Sequence, residues 1–199
     1  DALAAGDYNI AVGRLSLSAA TDVSQCVAIG YAAMNGVATV DGTIAVGHAA
    51  LNSVTSGARN LAIGWRAADV LTTSHDNIAI GYDAMGTATT NADKNIAIGN
   101  YALDSITAGE TVTHNIAIGY SAGTAITTGD YNTAVGGLSA DAVTTGEKNV
   151  CIGYGTEPSA VDSENQACIG YGTIGQADNA VTLGNVNVTK VYMSQDGDA

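Results

Sequence analysis

Three histidines, three cysteines and 19 carboxylates are the side chains of this 199-residue chain that could carry acid–base, nucleophilic or metal chemistry. Their spacing does not assemble any of it. His48, His75 and His114 fall in different surroundings, and no two stand at the short intervals that hold zinc. No Ser/His/Asp signature, phosphate-binding loop or nucleophile elbow occurs. The carboxylates scatter among turn residues, the pattern of a solvated surface, although pairs between neighbouring coils remain formally open to glycoside hydrolysis. Asp196-Gly197-Asp198 is a weak calcium signal without the glycine-rich nonapeptide that would support it, and a solvated tail is expected there. The chain is therefore expected to have no catalytic residues, no metal and no cofactor.

Two other residue sets recur at a fixed spacing. Asn9, Asn60, Asn77, Asn95, Asn115, Asn132 and Asn149 share one slot, and a ladder of stacked side-chain amides capping successive turns is the expected reading. Tyr31, Trp65, Tyr82, Tyr120, Tyr154 and Tyr171 share another. Such a row of rings has two readings, a surface that stacks on sugars or a host, and a cover for backbone at a corner or a chain-to-chain seam.

What must position these sets is an internal repeat, Asn-apolar-Ala-(Ile/Val)-Gly. Its closing glycines are Gly13, Gly30, Gly47, Gly64, Gly81, Gly99, Gly119, Gly136, Gly153, Gly170 and Gly184, at intervals of 17, 17, 17, 17, 18, 20, 17, 17, 17 and 14. Numbering each unit from its glycine as position 0, position −1 is Ile, Val or Leu and position −3 mostly so. Position −2 is Ala from Ala11 to Ala134, then Cys151, Cys168 and Thr182. Large–small–large alternation predicts a short β-strand. A second apolar position at +7, followed by Thr21, Thr55, Thr72, Thr89, Thr107, Thr127 or Thr144, predicts a second strand and a tight corner.

A coil of about 17 residues cannot bury its own apolar residues, so neighbours must stack. Parallel stacking at about 4.8 Å per coil gives a rod about 48 Å long. The aliphatic side chains are expected to stack as its core. The alanine and glycine face is expected to meet another copy of the chain, or alternatively to line a narrow coil interior. The longer intervals put their extra residues in the turn before the strand, at 91–94 and 109–114.

Composition narrows the partners. With 6 Lys and Arg against 19 Asp and Glu, the net charge of −13 argues against nucleic acid and against anionic lipid. No apolar run reaches the ~18 residues of a membrane span, and no signal peptide is visible at the start. Cys26, Cys151 and Cys168 make no disulfide framework. Cys151 and Cys168 are expected to stack as buried thiols in adjacent coils.

The units Asn60-Leu61-Ala62-Ile63-Gly64-Trp65-Arg66-Ala67 and Asn77-Ile78-Ala79-Ile80-Gly81-Tyr82-Asp83-Ala84 resemble the head repeats of trimeric autotransporter adhesins. Asn132-Thr133-Ala134-Val135-Gly136 and Thr144-Thr145-Gly146 resemble the related repeats of phage tail fibres. The resemblance implies an all-β, left-handed parallel β-roll of about 11 coils wound as a homotrimer. It also implies attachment, as an extracellular segment of a virion tail fibre or bacterial surface, to a host glycan or protein. Adhesin heads repeat near 14 residues, so the 17-residue coils here are expected to be larger or to carry a longer loop. The β-roll is expected over 1–184, and 185–199 as a terminal strand leading to a neck or further fibre. A passive spacer, an ice-binding solenoid built on the threonines and a polysaccharide-acting fibre are the alternatives.

Overall fold

The computed structural model describes residues 6–88, 91–107 and 111–191. Eleven three-residue strands form one parallel sheet: β1 (Ile10–Val12), β2 (Val27–Ile29), β3 (Ile44–Val46), β4 (Leu61–Ile63), β5 (Ile78–Ile80), β7 (Ile96–Ile98), β9 (Ile116–Ile118), β10 (Thr133–Val135), β11 (Val150–Ile152), β12 (Ala167–Ile169) and β13 (Val181–Leu183). Each pairs only with the next, like residue over like, as in Ile78↔Ile96, Ala79↔Ala97 and Ile80↔Ile98. The fold is thus a parallel β-solenoid of about ten turns with no helix among the described residues.

The 18- and 20-residue intervals leave this register untouched. Within these two units positions −7 and −6 pair as β6 (Ala92–Asp93) and β8 (Val112–Thr113), a two-stranded parallel sheet at the place where other rungs make the single bridges Ser24↔Asp41 and Glu147↔Glu164.

Two expectations are revised. The first concerns the faces, where the alternative reading holds. Ala28, Ala45, Ala62, Ala97, Ala117 and Ala134 are fully buried, whereas the flanking Ile29, Ile44, Ile63 and Ile118 remain 37–38% exposed. The alanine column lines the coil interior and the branched column looks outward. The reason is the opposite wall: Met34, Leu51, Met85 and Leu103 at position +4, with Val54, Leu71, Ile106 and Ile126 at +7, already fill the interior. Across a cross-section that narrow, only alanine fits on the strand side at interior packing density. The second concerns the +7 segment, which forms no strand among the described residues. Positions +2 and +4 repeatedly take positive φ, as at Ala32 (54°) and Met34 (50°), and this coils the chain into successive turns. Rung-to-rung bonding continues regardless: Ala32 N–H donates to Arg14 O at 3.0 Å and Met34 N–H to Ala50 O at 3.0 Å. Of the expected strand 185–199, residues 185–191 run as a turn and irregular backbone, and the remainder lies outside the described residues.

The asparagines do form the expected ladder. From Asn60 to Asn149 the six are buried. Each Oδ1 accepts the backbone N–H of its equivalent one rung on (Asn77 to Asn60, Asn95 to Asn77 and Asn132 to Asn115, all 2.9 Å). Each Nδ2 donates to a turn carbonyl of that next rung, as Asn115 does to Gly129 O at 2.8 Å. Gln166 continues the column, its N–H meeting Asn149 Oδ1 at 3.0 Å. Cys26 and Thr43 interrupt it near the start, and the buried Thr43 Oγ1 has no partner. Thr43→Asn is expected to extend the ladder, accepting from Asn60 N–H and donating to Gly57 O. The gain should be about 1 kcal/mol, read as a rise of about 2–4 °C in thermal midpoint.

Candidate functional site

Two long surfaces stand out, side by side. The outward columns of the sheet run from Ile10 and Val12 to Val181 and Leu183, two apolar side chains per rung over ten steps, with Thr133 and Ala167 the departures. Half of each side chain is covered by equivalents above and below. The outer half is covered by nothing, and Ile152 and Ile169 keep 40% and 39% of their surface exposed.

Beside it, at position +1, runs a rail of rings. Tyr31 stacks on His48 (centroids 5.1 Å), which meets Trp65 edge-on (5.7 Å). Trp65, Tyr82, Tyr101 and Tyr120 follow at 5.4, 5.2 and 6.1 Å, each pair edge-to-face. The Arg14 guanidinium covers the free face of Tyr31 at 5.6 Å. Gly137 then breaks the rail, and Tyr154 and Tyr171 resume it as a stacked pair at 5.6 Å. All six aromatic residues singled out by spacing lie in this column. Two members were missed. His48 occupies the aromatic slot of its rung, a signal available in the repeat. Tyr101 stands one place further on, reaching over the slot held by Asn100, whose Oδ1 accepts Tyr82 N–H at 3.0 Å. Because the rings from His48 to Tyr120 meet edge-on, their orientation alternates along the rail and gives no continuous run of parallel faces. A sugar-stacking platform needs open faces.

The carboxylates are more ordered than their scatter suggested. Asp41, Asp93, Asp130 and Asp178 share position −6, and each accepts the backbone N–H of its equivalent one rung back, at 2.8, 2.7, 2.6 and 2.9 Å. They form a second capping ladder, so the expectation of a merely solvated set is corrected. His75 stands in the same column and accepts Ala58 N–H at its Nδ1 (3.1 Å), while His114 stacks on Tyr131 at 5.0 Å. Among the described residues no group of three or more His, Cys, Asp or Glu side chains is placed to hold a metal ion. Asp196 to Asp198 lie outside the described residues. Cys151 and Cys168 are Cα partners, buried and unbonded, and burial raises both thiols.

Two carboxyl groups titrate abnormally. Burial, aided by the nearby Asp83 charge, pushes Asp104 up to about 6. Burial, then the neighbouring Asp141 carboxyl, pushes Glu157 up to about 8; its Oε1 accepts Asp141 N–H at 2.6 Å. A folded-state value above the unfolded one means that the protonated form stabilises the fold. That contribution is complete below the ordinary carboxylate range and is lost as pH rises through about 8 for Glu157. Glu157→Gln keeps the acceptor for Asp141 N–H and removes the charge. Thermal melts should show it stabilised by about 2 kcal/mol at alkaline pH, after allowance for partial exposure, and unchanged near pH 4.

No helix among the described residues is long and apolar enough to cross a membrane. Comparison with known protein families, with characterised proteins and with solved structures finds no match to this chain.

Proposed function

We propose that the chain is a structural attachment segment, a rod that self-associates as a homotrimer in an extracellular fibre of the phage-tail or bacterial-adhesin kind. The observation that carries this reading is the uncovered Ile/Val face. Its two columns are about 7 Å apart and run about 48 Å, so with side-chain width the face covers about 600 Å² in projection. That is at the upper limit of what a typical monomer leaves as one apolar patch, and close to the ~800 Å² per partner of a stable interface. The strand is only three residues wide. Three such narrow walls can close around an axis with their side chains interdigitating, where a broad sheet would favour a two-fold sandwich. In this reading the coils wind left-handed, as in the repeats the chain resembles. The aromatic rail then forms the rim of each seam, and the polar turns face outward to meet a host glycan or protein.

Native mass in solution tests the assembly. A trimer is expected, and Ile80→Asp combined with Ile98→Asp should give monomers that keep the circular-dichroism signature of the wild type. A wild-type chain that stays a folded monomer at micromolar concentration would refute the reading. For attachment, labelled rods should bind a subset of bacterial or animal cell surfaces saturably. Absence of binding across such panels would leave a passive spacer as the role.

A further inference from the structure

Tyr154 and Tyr171 stand apart from the rest of the rail, with Gly137 one rung before the pair and Asn185 one rung after. Their rings are nearly parallel, 14° apart with centroids 5.6 Å apart, and they are 52% and 72% exposed. The backbones that carry them are locked in register, since Cys151↔Cys168 and Ile152↔Ile169 are direct partners in the strands just before. We propose that Tyr154 and Tyr171 are a site of oxidative tyrosine–tyrosine cross-linking, in which a peroxidase and hydrogen peroxide convert the stacked pair into a covalent rung-to-rung staple.

The chemistry balances without a group from the chain beyond the two phenols. Each phenol gives one electron and one proton to the peroxidase. The enzyme's two one-electron reductions together consume one hydrogen peroxide and release two waters. The two phenoxyl radicals join through the ring carbons ortho to oxygen. The hydrogen that each of those carbons carried moves to its own oxygen, which leaves two phenols on one biaryl. Radical coupling needs both partners together, and holding them on adjacent rungs supplies the second ring at high effective concentration. The Tyr154 ring has room to turn on its outer side: at Gly137 even an added Cβ would stand 3.4 Å from it, and the glycine puts nothing there.

Exposure and geometry make different forecasts. Among the described residues Tyr8 is the most exposed tyrosine, at 85%, but no ring stands against it, and Tyr131 at 52% stacks on His114 instead of a phenol. If exposure governed the reaction, Tyr8 would dominate and products would join separate molecules. The same two rungs also hold Cys151 and Cys168, face to face but buried, where a disulfide is the competing oxidation.

The test treats the purified chain with a haem peroxidase and hydrogen peroxide, then with dithiothreitol, before digestion and mass spectrometry. The expected product has lost the mass of two hydrogen atoms per chain and resists the reductant. It yields a peptide joining Tyr154 to Tyr171 in at least about tenfold excess over any cross-link containing Tyr8, at every protein concentration. Tyr171→Phe should abolish that peptide, and Tyr8→Phe should leave it unchanged. Cross-links that run mainly through Tyr8, a yield that scales with protein concentration, or a mass loss reversed by dithiothreitol would each overturn the proposal.

Discussion

Gly64→Ala is expected to cost at least about 4 kcal/mol and to leave little folded protein at 37 °C, read as loss of the cooperative denaturant transition or of folded yield. A Cβ at Gly64 would stand 2.3 Å from Gly81 O and 2.7 Å from Gly81 C, and its φ of +139° lies where residues with a side chain rarely go. The obstructing atoms are backbone of the next rung, so relief requires opening the 4.8 Å stack. Gly155→Ala is the control. Its φ is +59° and nothing lies within 4 Å of the added atom. Ala32 and Ala49 hold the equivalent position at φ 54° and 56°, so a cost of about 1 kcal/mol or less is expected. Equal losses in the two variants would mean that chain stiffness, not rung contact, sets the effect.

The second large effect is at the amide ladder. Asn115→Leu keeps the approximate volume but removes the acceptor for Asn132 N–H (2.9 Å) and the donor to Gly129 O (2.8 Å). Asn115 is fully buried, so water cannot replace either partner, and each orphaned group carries its full desolvation cost. A loss of about 3–5 kcal/mol is expected, with faster amide exchange at Asn132 as the local signature. Asn9→Leu provides the comparison. Asn9 makes the same two bonds, to Val23 O and from Cys26 N–H, but it sits half-exposed in the first rung. Water can serve there, and about 1 kcal/mol should be lost.

The rung length, the register and the asparagine ladder were all legible in the sequence, for one physical reason. Parallel stacking puts each residue on its own equivalent, so whatever a rung requires must be spelled again every 17 residues. What repetition does not encode is direction. An Ile-Ala-Ile strand has two apolar faces, and alternation alone does not say which is inside. The deciding residues lay elsewhere, in Met34, Leu51, Met85 and Leu103, whose bulk leaves room only for alanine opposite. The second strand failed for a related reason. The left-handed backbone at positions +2 and +4 is held by rung-to-rung hydrogen bonds, and residues such as Ala32 and Leu51 carry no local sign of it. The ladder at position −6 was hidden by mixed composition, since Asp41, His75 and Asp130 cap through the same geometry with different chemistry.

Identical cross-sections stacked without a shift have a consequence for how such a molecule can change length. Because any rung offers the same upper and lower surface, recombination between neighbouring units of the coding sequence adds or deletes whole steps and leaves both new junctions native. Growth then proceeds in increments of about 4.8 Å, with the girth, the outer apolar columns and the ring edge simply prolonged. The molecule is a ruler whose graduations can be inserted or removed one at a time.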